Sequence, residues 1–177
     1  MNVFDQENLP PILPVIVVDN PERAIPLAEA FLEAGLNWIE ITLRTDAGVE
    51  AIRRIASAVP AMSVGAGTVL TEDQASKAIE AGATFGLAPG FSRKLLRVFK
   101  MNRVPFIPGV CTPTEIYHAL EHGYTRLKFF PAEPSGGAKY LKAANAPFQS
   151  FGLQYCPTGG VNIDNMLDYL NLPEVFT

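Results

Sequence analysis

Hydrophobic and polar positions along the chain follow two periods in turn. Short apolar runs rich in β-branched and aromatic residues, "LPVIVV", "NWIEITL", "MSVGAGTV", "TFGLAP", "VPFIPGV", "RLKFFPAE" and "QYCPTGGV", predict seven strands. Between them "PERAIPLAEAFLEAGL", "DAGVEAIRRIASAV", "TEDQASKAIEAGA", "SRKLLRVFKMN", "TPTEIYHALEHGY", a glycine-broken stretch near 135–147 and "NIDNMLDYLNL" carry the helical period. Thr71, Ser92 and Asn162 are candidate N-caps, and Thr112 with Glu115 fits a capping box. Strict strand-helix alternation predicts parallel strands with helices outside them. A weak repeat, "EAGLNWIEI", "EAGATFGLA" and "EHGYTRLKF", places Gly35, Gly82 and Gly123 as left-handed helix ends just before a strand. The expected architecture is a (β/α)8 TIM barrel forming a single domain over residues 1–177, with a doubly wound open sheet as the alternative. No linker or low-complexity stretch breaks the series.

Composition narrows the partners. The 177 residues carry 48% hydrophobic and 18% charged side chains, an ordinary globular balance. A net charge of -4 argues against general binding to nucleic acid or an anionic membrane, both of which need clustered Lys and Arg. "MNVFDQENLPP" has no basic start followed by an apolar core, and no run is long enough to span a bilayer, so the expectation is a cytoplasmic protein. Cys111 and Cys156 form no CxxC pair and fit a reducing compartment as small half-buried hydrophobes. "GAGTVL" lacks a third glycine and follows the third strand, which makes it weak evidence for a dinucleotide cofactor. His118 and His122, four apart on the fifth helix, lack a third ligand there and read as solvated rather than metal-binding. Arg93, Arg97 and Lys100 read as a solvated stripe on the fourth helix.

Two charged residues fall where a buried strand is expected. Lys128 is flanked by Leu127 and Phe129, and Glu40 by Ile39 and Ile41. Each lies five residues beyond its repeat glycine, which puts both at one height on the second and sixth predicted strands, opposite one another in an eight-stranded ring. Alternation turns Ile39, Ile41, Leu43, Leu127 and Phe129 toward the helices, and Glu40, Thr42, Arg44, Lys128 and Phe130 inward. One reading is a buried ion pair without chemistry, a poor stabiliser because desolvation offsets its attraction. The other is a nucleophile with an acid/base partner: desolvation favours the neutral amine that attacks carbonyls, while a nearby carboxylate opposes that effect and can shuttle protons.

Other groups fall at strand C-terminal ends, where barrel active sites lie. Arg44 has the planar fork that grips a carboxylate, although it also reads as a surface charge. Thr68 offers a hydroxyl at the end of the third strand, after two glycines that let backbone approach closely, and Pro89 a rigid wall. "PTGGV" follows the seventh strand with glycine amides suited to phosphate, or forms an ordinary turn.

"EITLRT", "GAGTV", "LAPG", "FIPGV", "KFFPAE" and "CPTGG", in this order from about Leu13 onward, resemble the bacterial 2-dehydro-3-deoxy-6-phosphogluconate aldolase family, class I aldolases that often also cleave 4-hydroxy-2-oxoglutarate. The resemblance implies that Lys128 forms the Schiff base and Glu40 is the general acid/base. It implies that Arg44 and Thr68 hold the pyruvate carboxylate, that Gly159 and Gly160 contact phosphate, and that Pro89, Phe130 and Thr158 complete the substrate site. It further implies no cofactor and no metal, a small-molecule 2-oxo acid and a phosphorylated aldehyde as ligands, and a homotrimer. Sister aldolases for the galactonate epimer, and an isomerase or epimerase on the same barrel, are the competing readings. In the family an eighth strand and a second phosphate loop follow, and "LPEVFT" falls where that strand would begin. The expectation is a domain incomplete at its C-terminus, with half its phosphate site and with open edges on the first and seventh strands.

Overall fold

A computed structural model describes residues 10–177, so most of the N-terminal stretch "MNVFDQENLPP" lies outside the described residues. The strands are β1 (Val15–Ile16), β2 (Trp38–Thr42), β3 (Ser63–Gly67), β4 (Phe85–Leu87), β5 (Phe106–Ile107), β6 (Gly109–Val110), β7 (Arg126–Phe129) and β8 (Gln154–Pro157). The helices between and after them are α1 (Ala24–Glu33), α2 (Gly48–Ala58), α3 (Glu72–Glu80), α4 (Arg93–Met101), α5 (Pro113–Glu121), α6 (Gly137–Asn145) and α7 (Met166–Leu170). One sheet has the order β1-β2-β3-β4-β5 and the other β6-β7-β8, with parallel registers wherever pairing is defined.

Two compact units emerge, one running to Leu87 together with Arg93–Phe106, the other comprising Ala88–Ser92 and Ile107–Thr177. In the first, all five residues of β2 are buried, as a parallel strand covered on both faces requires. Helix α2 buries Ala51, Ile52 and Ile55, and α4 buries Leu95, Leu96 and Phe99 at three-to-four spacing, while Arg93, Arg97 and Lys100 are exposed. In the second, Leu127 and Phe129 pack with Ile116 and Ala119 of α5 and Leu141 and Ala144 of α6, which puts these two β7 side chains on the helix-facing side as expected.

The single fifth strand expected over "VPFIPGV" is instead two strands in different sheets. Pro108 is the cause, because it has no N–H to continue a ladder. The Gly86 and Ala88 amides donate to the Pro105 and Ile107 carbonyls on one side of this break, and the Pro108 carbonyl accepts from the Lys128 amide at 2.9 Å on the other. The expected eighth-strand start is a parallel bridge of Val175 to Tyr155, so β8 has a neighbour beyond β7, whereas among the described residues β1 pairs with β2 alone, and Val15 and Val17 are exposed.

Gly35, Gly82 and Gly123 have φ of +82°, +100° and +79°, the left-handed helix ends that the repeat predicts. Thr112 and Glu115 form their capping box, and Thr71 forms a second with Gln74. Asn162 does not cap α7, whose N-cap is Asn165; its side chain instead accepts from the Asp164 amide in the preceding turn.

Candidate active site

In the first unit, Glu40 is 0% exposed in the middle of β2 and lies opposite Gly65 in register. Its side chain leans along the strand over Gly67, so a Cβ at Gly67 would collide with the Glu40 carboxylate. A Cβ at Gly65 would likewise meet the Phe85 ring, which stacks on Trp38 at a centroid distance of 5.0 Å. These glycines therefore make room for the Phe85 and Glu40 side chains. The sequence signal was present in the alternation of Gly65 and Gly67 on one strand face, which leaves two empty positions for neighbours to fill.

Thr68 follows directly, half-buried, with φ of 54°, a conformation that costs a β-branched residue and recurs at functional sites. Arg44 stands two residues past the end of β2 in a turn and is exposed, rather than closing the strand. The structure thus gathers Glu40 and Thr68 around Gly67, with Arg44 further along the same chain segment.

In the second unit, Lys128 is 4% exposed, opposite Gly109 of β6 and Cys156 of β8 in register. Its Nζ lies 5.8 Å from the centroid of the Phe130 ring, within cation–π range for an ammonium and an apolar wall for an amine. Gly109 admits the backbone of Pro89, which sits half-buried in the bend after β4. The β7–β8 pairing continues past the strands: the Thr158 amide donates to the Phe129 carbonyl at 2.9 Å, Ala132 to Thr158 at 2.8 Å, and Glu133 to Gly159 at 3.0 Å. Gly159 and Gly160 have φ of +98° and +85°. Room for a Cβ at Gly159 is limited by Phe130, and at Gly160 by the Glu133 Cβ at 2.7 Å. Phe130, Thr158, Gly159 and Gly160 are therefore brought together just beyond the end of the Lys128 strand.

A contact that sequence reasoning missed holds this turn from behind. The Tyr169 hydroxyl of α7 donates to the Glu133 Oε1, 36 residues away in sequence, so no local pattern could announce it. Burial, then the acceptor carboxylate, push the Tyr169 phenol well above its ordinary value. Nearby, burial alone would raise the Glu115 carboxyl, but the Thr112 and Cys111 amides and the Thr112 hydroxyl together hold it below the usual range. His118 and His122 are exposed at the end of α5, where Nδ1 of His118 meets Glu121 at 3.2 Å and Nδ1 of His122 meets the His118 carbonyl at 2.9 Å. Cys111 and Cys156 are free thiols, half-buried and buried.

The family model described as KDPG and KHG aldolase matches residues 5–177. The chain belongs to this aldolase family. It is 44% identical over 165 residues to the KHG/KDPG aldolase of Escherichia coli strain K12, covering 93% of this chain and 76% of that protein. The KDPG aldolase of Legionella pneumophila, solved with pyruvate captured as a covalent carbinolamine intermediate, superposes with a TM-score of 0.88 at 41% identity, over 93% of this chain and 79% of that one. The Zymomonas mobilis aldolase solved with 3-phosphoglycerate gives 0.87 at 38% identity, over 93% and 78%. The parallel (β/α) barrel class expected from the sequence is the fold class that this aldolase-family chain shares with them.

Proposed function

We propose that the protein is a class I aldolase that cleaves 2-dehydro-3-deoxy-6-phosphogluconate, and with it 4-hydroxy-2-oxoglutarate, through a Schiff base on Lys128. One observation carries the reading: a lysine 4% exposed at the centre of a parallel strand, between Gly109 and Cys156, with its amine against an aromatic ring. Such a position holds an amine out of bulk water beside an apolar wall, the setting of a lysine that attacks a carbonyl rather than one that solvates a surface. The carbinolamine of the Legionella relative supports the same chemistry.

In this mechanism the Lys128 amine adds to the C2 ketone, water leaves, and the iminium becomes an electron sink. Glu40 takes the proton of the C4 hydroxyl; the C3–C4 bond breaks, glyceraldehyde 3-phosphate departs, and its electron pair remains as the enamine of pyruvate. Protonation at C3 and hydrolysis of the imine release pyruvate and restore the amine. Arg44 and Thr68 hold the carboxylate, Gly159 and Gly160 donate amides to the phosphate, and Pro89, Phe130 and Thr158 shape the cleft around the reacting carbons. The assembly we propose is a homotrimer, as the family resemblance implies, and the compartment the cytoplasm, in keeping with two cysteines that are both free thiols. Among the described residues no helix is long and apolar enough to cross a membrane.

Incubation with pyruvate and borohydride tests the assignment: it should add a reduced three-carbon unit to Lys128, and a peptide map with Lys128 unmodified would refute the imine mechanism. Glu40→Gln should still be trapped yet lose about 10²- to 10⁴-fold in pyruvate release from the phosphorylated sugar acid, the usual contribution of a general acid/base. Coupled assays with the gluconate and galactonate epimers assign the stereochemistry.

A further inference from the structure

Thr42, the last residue of β2, is 2% exposed, and its Oγ1 is the one buried side-chain oxygen or nitrogen among the described residues that meets no hydrogen-bond partner in the protein. A hydroxyl carries one donor and two acceptor sites, and burying it unpaired is unfavourable. Valine would fill the same space and suit a strand flanked by Ile39 and Ile41 better. The strand thus keeps a polar group that its own fold leaves unsatisfied.

Its neighbours say what kind of partner fits. Thr42 stands opposite Gly67 in register, and the Glu40 carboxylate lies over that same glycine. Strand alternation puts Thr42 on the Glu40 face, and Arg44 follows two residues later. Thr68, strained into the left-handed region, follows Gly67. The donor is therefore set at the strand end where an anionic ligand gripped by Arg44 would arrive, next to a carboxylate it does not bond.

We propose that Thr42 is a further substrate-contact residue whose hydroxyl donates a hydrogen bond to the carboxylate of the bound 2-oxo acid. The inference rests on the aldolase reading above, and the experiment separates the two. Wild type, Thr42→Val and Thr42→Ser are treated with borohydride over a range of pyruvate concentrations, and their ligand-free melting temperatures are recorded. Thr42→Val should need about tenfold more pyruvate for half-maximal trapping, as for loss of a hydrogen bond to a charged partner, with the melting temperature held or raised. Thr42→Ser should stay near wild type. Equal half-saturation in wild type and Thr42→Val overturns the proposal while leaving the aldolase reading intact. So does a Thr42→Ser that behaves like Thr42→Val, because methyl packing would then be the cause. A ligand-free Thr42→Val that melts several degrees lower also overturns it, since the hydroxyl would be tied into the fold through ordered water. A wild type that is never trapped removes both readings together.

Discussion

The β2–β3 region and the β7–β8 region each bury a charged side chain at mid-strand, and they do so by opposite means. Around Glu40 the neighbouring strand gives up side chains: Gly65 and Gly67 leave space that Phe85 and the carboxylate occupy. Around Lys128 the backbone does the shaping, because the ladder between β7 and β8 runs on through Thr158, Ala132 and Glu133 into the Gly159–Gly160 turn, with Tyr169 tied behind it. The first arrangement is sensitive to a single added methyl. The second distributes its hold over several hydrogen bonds and should yield by degrees.

Gly67→Ala breaks the comparison most severely. The new Cβ meets the Glu40 carboxylate, so turnover should fall by about 10²- to 10⁴-fold, as for removal of the acid/base itself, while pyruvate trapping on Lys128 persists. A steady-state rate close to wild type would show that the carboxylate can move aside without cost. Next comes Tyr169→Phe, which leaves Glu133 without its donor. Stability should drop by about 1–3 kcal/mol in denaturant melts, and KM for the phosphorylated substrate should rise with kcat nearly unchanged. Because the Tyr169 phenol is held above its unfolded value, its contribution is fully present below about pH 10 and is lost as pH rises beyond that, a loss the Phe variant should not show.

The smallest effect is expected at the start of α5. Glu115→Gln should cost about 1 kcal/mol, since a neutral amide still reaches the cap but without charge. The carboxyl is held below its ordinary value, so its contribution is present at neutral pH and disappears as pH falls through the carboxylate range. Acid melts of wild type and variant should therefore converge.

Much of this was legible residue by residue. The inward and outward sides of β7 followed from alternation, because Leu127 and Phe129 meet α5 and α6 while Lys128 is turned from them. The capping box at Thr112 and the three left-handed glycines followed from local rules whose partners lie within a few residues. The split at Pro108 was written in the residue itself, yet a continuous apolar run concealed it. Asn162 was misread as a helix cap because its side chain serves a turn just as well.

Alternating hydrophobic patterning, cap chemistry and the motif order were sufficient to determine strand and helix identity, the parallel class and the aldolase family, since each depends on interactions of short range or on residue type alone. Tertiary structure alone decided that Gly67 exists to admit the Glu40 carboxylate, that Tyr169 braces Glu133, and that the Thr42 hydroxyl is left without a protein partner. Those facts depend on which atoms from distant segments share a few cubic ångströms of interior, and packing at that density is set by the whole chain.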